Sequence, residues 1–99
     1  MKIIITKSAL RRLELIHEYY KQKALQSVSN KILSSILDRI EYLKDNPEIG
    51  QIENSLEALN KNHRYIVQSN YKIVYKFEKG NIYVTDIFDS RRDPSKIIG

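Results

Sequence analysis

The chain has 99 residues, 41% of them hydrophobic, and a formal net charge of +5. That length fits one domain, residues 1–99, around one core, and the apolar share is too high for a disordered chain. Cysteine is absent, which excludes a disulfide framework, a thiolate metal site and a cysteine nucleophile and agrees with a reducing cytoplasm.

Met1–Ile5 is apolar and β-branched and reads as a first strand. Thr6 or Ser8 supplies a hydroxyl to cap a helix from about Ala9 to Lys23. Leu10, Leu13, Ile16 or His17, and Tyr20 recur at helical spacing along it. After a short polar break at Ala24–Ser29, a second helix runs to about Asp45. Val28, Ile32, Ile36 and Ile40 fall four apart, with Leu33, Leu37 and Leu43 beside them. Asn46-Pro47 ends this helix, because a residue before proline is pushed out of the α region. The two helices are expected to form a hairpin.

Glu48–Lys61 reads as a connection, with a helical turn at Ser55–Leu59. Three strands follow: Arg64–Gln68, Tyr71–Phe77 and Asn81–Phe88. Ser69-Asn70 and Glu78-Lys79-Gly80-Asn81 supply the turns, and Gly80 is free to take positive φ. In the middle strand Tyr71, Ile73, Tyr75 and Phe77 alternate with Lys72, Val74 and Lys76. The predicted fold class is α+β, in the order β-α-α-β-β-β. An N-terminal strand and a helical hairpin precede a three-stranded antiparallel meander, and one sheet packs against two helices.

No apolar run approaches the ~20 residues of a membrane helix, and the N-terminus lacks a secretory pattern. The expectation is therefore an unprocessed cytoplasmic protein with no membrane partner. The charge is uneven. Residues 1–60 hold nine Lys or Arg against eight Asp or Glu, whereas residues 61–99 hold eight against four. Such an excess favours an acidic partner, nucleic acid or protein.

Two histidines without cysteine make a poor metal site, and three scattered glycines make no phosphate loop, so no cofactor is expected. The remaining polar set is basic: His63, Arg64, Lys72, Lys76, Arg91 and Arg92. If these side chains converged, Arg64, Lys72 and Arg92 would hold phosphate oxygens, and His63 would move a proton near neutral pH. The simpler reading makes Lys72 and Lys76 the solvated side of a strand and His63 a structural residue. The seven tyrosines fit the edges of a helix–sheet core better than a base-stacking platform.

Arg64-Tyr65-Ile66-Val67, Asn70-Tyr71-Lys72-Ile73-Val74-Tyr75-Lys76, Ile82–Phe88 and Ser90-Arg91-Arg92-Asp93-Pro94 stand in this order. Upstream, Leu43-Lys44-Asp45-Asn46-Pro47-Glu48-Ile49-Gly50 gives a Leu…Asn-Pro-x-x-Gly pattern. Together these resemble the RelE/ParE superfamily of type II toxins over nearly the whole chain. The resemblance implies a growth-inhibiting bacterial toxin, neutralised by a cognate antitoxin. RelE-like members are endoribonucleases that cleave mRNA on the ribosome, whereas ParE-like members poison DNA gyrase. Lys72 sits where RelE-like nucleases commonly carry arginine, and Arg92 matches a late catalytic arginine. The nucleases' late tyrosine falls near Ile97 or Ile98 and is missing. The tail Arg91-Arg92-Asp93-Pro94 looks closer to the ParE-like side. The resemblance thus implies gyrase as target, with ribosome-dependent RNA cleavage as the alternative enzyme reading and a non-toxic binding module as a third. Lys76, Arg91, Arg92 and Asp93 are the expected partner-binding residues.

Overall fold

In the computed structural model, residues 2–23, 25–52 and 63–90 are described. Strand β1, Ile3–Ile5, leads directly into helix α1, Lys7–Lys23. Of the two proposed caps, Thr6 is the one used. Its hydroxyl accepts the Ala9 N–H at 3.3 Å, and its carbonyl accepts that of Leu10 at 2.8 Å. Helix α2, Gln26–Tyr42, begins earlier than its polar first turn suggests. The Leu25 carbonyl accepts N–H groups from Val28 and Ser29, so the helix starts without a side-chain cap. The break between the helices is correspondingly short.

Strands β2, Gln51–Ile52, β3, Arg64–Gln68, β4, Tyr71–Glu78, and β5, Asn81–Asp89, complete one five-stranded sheet in the order β1-β5-β4-β3-β2. β3, β4 and β5 form the expected antiparallel meander, and β1 pairs with β5 in parallel, Ile3 opposite Ile82. β2 lies inside the segment read as a connection. Two residues are too short for an alternating pattern to register, yet Gln51 and Ile52 pair with Tyr65 and Arg64 at the sheet edge. The helical turn expected at Ser55–Leu59 lies outside the described residues. Lys79 and Gly80 both take positive φ, 53° and 78°, as a tight two-residue hairpin turn requires.

The core lies between the sheet and the helical hairpin. Ala9, Leu13 and Ile16 of α1, with Ile36 and Ile40 of α2, meet Ile66, Tyr71, Ile73, Tyr75, Ile82, Val84 and Ile87. Ser29, fully buried, is the small residue where the helices approach, and its hydroxyl donates to the His17 carbonyl at 3.0 Å. The in/out alternation expected along β4 is broken twice: Val74, on the face of Lys72 and Lys76, is buried, and Phe77 at the strand's end stays 46% exposed. A bulge breaks the β4–β5 register. Val74 opposes Asp86 and Tyr75 opposes Val84, which leaves Thr85 as the extra residue. There the Asp86 carboxylate takes an ion pair from Arg12 of α1 at 3.2 Å, tying sheet to helix.

Candidate functional site

Three features stand out: a buried latch at the end of α2, the outer face of the sheet, and an apolar groove between the helices.

The latch explains the Asn-Pro-x-x-Gly pattern. The Tyr75 hydroxyl donates to the Pro47 carbonyl at 2.9 Å and accepts the Gly50 N–H at 2.9 Å. The Arg64 guanidinium caps the same segment, donating to the Gly50 carbonyl at 2.8 Å and to that of Glu48 at 3.4 Å. Gly50 has no spare room. A β-carbon there would lie 2.6 Å from the Tyr75 hydroxyl and 2.8 Å from the Tyr65 carbonyl oxygen. These contacts hold the chain as it leaves α2 and deliver β2 to the sheet edge.

Burial raises the Tyr75 phenol above its ordinary pKa of 10.0, and the Gly50 N–H and the Arg64 charge partly oppose that rise. The folded state therefore holds the phenolic proton to higher pH than the unfolded chain does. The Tyr75 contribution to stability is complete below pH 10 and is lost as pH climbs beyond it. Denaturant titrations between pH 8 and 11 are expected to show the wild type losing stability faster than Tyr75→Phe. Parallel curves for the two proteins would contradict this.

The outer sheet face carries Tyr65 and Val67 of β3, Lys72 and Lys76 of β4, and Tyr83 and Phe88 of β5. Lys72 rests over two rings, its Nζ 4.0 Å from the Tyr65 centroid and 5.7 Å from that of Phe88. Lys76 lies 5.5 Å from the Tyr83 centroid and pairs with Glu78 at 2.9 Å. Tyr71 and Tyr75 are buried in the core, but Tyr65 and Tyr83 support cations on the far side of the sheet. A core-edge role thus describes only some of the tyrosines.

The sequence reading groups Arg64 with Lys72, and the structure separates them. Arg64 pairs across the strands with Tyr75, shares its strand face with buried Ile66, and points to the helix side. Lys72 stands opposite Val67 on the outer face. His63 is 8% exposed at the start of β3. Arg91, Arg92 and Asp93 lie outside the described residues. Among the described residues no cluster of His, Asp and Glu fits a metal ion, and no helix is long and apolar enough to cross a membrane.

The groove was not anticipated. It encloses about 510 Å³ between α1 and α2. Ile5, Leu10, Leu13, Leu33 and Leu37 line its apolar part, and Glu14, His17, Asn30 and Ser34 its polar part. Leu10 and Leu37 are 49% and 42% exposed. The signal for it was the width of the apolar stripes. Leu33 and Leu37 flank Ile32, Ile36 and Ile40, a band broader than one sheet contact covers.

The sequence pattern of the ParE toxin of the type II toxin–antitoxin system parDE matches residues 3–94. The chain belongs to the ParE toxin family. Among solved structures, a chain of the chromosomal ParDE toxin–antitoxin system from P. aeruginosa shares the fold of this ParE-family toxin. The TM-score is 0.76 at 14% identity, over 90% of this chain and 95% of that one. No curated protein matches the sequence. The ParE-family toxin therefore has the fold expected from its element order.

Proposed function

We propose that this toxin inhibits growth by binding DNA gyrase and poisoning it, with no bond cleavage of its own. The observation that carries this reading is the position of Arg64. Its guanidinium is committed to the carbonyls of Glu48 and Gly50 on the helix side of the sheet, away from Lys72. His63, the neighbour of Arg64 in sequence, is buried at the start of β3 and so is not an exposed proton donor for RNA cleavage. Membership of the ParE family supports the same target. Purified toxin at micromolar concentration is expected to block DNA supercoiling by gyrase in vitro, while message in a translation extract stays intact. Unimpaired supercoiling together with codon-registered cuts in the message would replace this reading with the ribosome-dependent endonuclease.

The same reading supplies the partner. A cognate antitoxin restrains the toxin in the cytoplasm, through an acidic segment that folds on binding. Its apolar side chains fill the groove between α1 and α2, and its carboxylates meet a chain of net charge +5. Lys76, Arg91, Arg92 and Asp93 remain the polar contacts proposed for that complex. The product of the adjacent reading frame is expected to co-purify with the toxin, and failure to do so would remove the antitoxin from this account.

A further inference from the structure

The outer face of the sheet carries a row of side chains that crosses three strands. Val67 of β3 stands opposite Lys72 of β4, and Lys72 stands opposite Phe88 of β5. At the usual spacing between neighbouring strands the row is about 10 Å wide. Tyr65 adjoins it, its hydroxyl donating to the Gln51 side-chain carbonyl at 2.8 Å, and the Lys72 ammonium lies over the Tyr65 and Phe88 rings. Val74, paired with Tyr65 on the same face, is 1% exposed. This is a packed surface rather than a fringe of solvated side chains. The rings hold its cation in place before any partner arrives, which lowers the ordering cost of a contact. Beside that cation Val67 leaves an apolar side chain 49% exposed.

We infer that the patch of Tyr65, Val67, Lys72 and Phe88 is the surface through which the toxin meets gyrase, and that it receives a carboxylate set in an apolar area of the gyrase protein. This rests on the reading of gyrase as the target. Interfaces between proteins concentrate aromatic side chains around a few desolvated anchors, and the row has that composition. A nucleic acid fits the same surface poorly. The Lys72 ammonium occupies a face of the Tyr65 ring, where a base would stack. Glu78 offsets the charge of Lys76 at 2.9 Å, so the two lysines do not act as a pair of cations toward a phosphate backbone. Arg64, bound to carbonyls on the helix side, takes no part in the patch.

The test measures the toxin concentration that halves supercoiling, and the Kd of the toxin for gyrase in the absence of DNA. The variants are Val67→Glu, Lys72→Gln, Lys72→Glu and Lys72→Arg, with Lys31→Glu on the exposed surface of α2 as a charge-matched control. Melting temperatures confirm folding, and Val67, being exposed, keeps the test open if Lys72→Glu unfolds. Val67→Glu, Lys72→Gln and Lys72→Glu are expected to weaken both readouts by about tenfold or more. Lys72→Arg keeps a cation that stacks on rings and stays close to the wild type, as does Lys31→Glu. Wild-type potency in Val67→Glu and Lys72→Gln overturns the inference and leaves the gyrase reading intact. A wild-type toxin that spares gyrase removes the target itself, and the patch with it. An equal loss in Lys31→Glu overturns the inference by making net charge the cause. An unchanged Kd for gyrase, with lost binding to a labelled DNA duplex, overturns it in favour of a DNA-reading face.

Discussion

Gly50→Ala is expected to cost the fold about 2–3 kcal/mol, the range seen when extra atoms are forced into a packed site and a buried hydrogen bond is lost with them. The restriction is spatial. The added carbon meets the Tyr75 hydroxyl at 2.6 Å, a Tyr75 ring carbon at 2.8 Å and the Tyr65 carbonyl at 2.8 Å. The carbonyl belongs to the β3 backbone, paired with β4. The ring is fully buried. Neither yields without breaking the Tyr75 bonds to Pro47 and Gly50. For a chain of 99 residues this corresponds to a fall in melting temperature of roughly 10–20 °C. Calorimetry reads it directly, and a shift of a degree or two would mean that Gly50 is not a close-packed position.

Arg64→Ala is expected to cost about 2 kcal/mol, a typical loss when a charged donor is removed from carbonyl acceptors. The Gly50 carbonyl loses its 2.8 Å bond and the Glu48 carbonyl its longer one. Arg64→Lys is expected to recover part of the loss, since a single ammonium cannot span both carbonyls as the planar guanidinium does. The decisive measurement is gyrase inhibition by Arg64→Ala at a temperature where the variant is folded. Inhibition at the wild-type level assigns Arg64 to the scaffold. Lost inhibition with an unchanged melting temperature would return Arg64 to the functional surface.

Much of the fold was legible because its elements are long and periodic. The stripes of α1 and α2, the Asn46-Pro47 stop, the two tight turns and the alternation of β4 each have a local cause. Strand β2 was not legible, since two residues form a strand here through pairing with Tyr65 and Arg64 rather than through any propensity of their own. The candidate site was read less well. Alternation assigned Lys72 and Lys76 to the outer face correctly. It carries no information about the phase of β3 relative to β4, which is what turns Arg64 toward Tyr75 and away from Lys72. The latch was visible only as a pattern of residue types. That Gly50 is needed for the approach of a tyrosine 25 residues later is a tertiary fact. The groove was hidden for the opposite reason: Leu10 and Leu37 looked like core, and their partial exposure emerges only once the sheet is seen to cover part of each stripe.

The parallel pairing of β1 with β5 has a consequence for how the toxin is made. Ile3 waits for Ile82, 79 residues later, so the first strand leaves the ribosome long before its neighbour in the sheet exists. During translation the helical hairpin can assemble locally, but the three isoleucines of β1 cannot dock until the final hairpin has been synthesised. The finished five-stranded sheet therefore arises only near the end of synthesis.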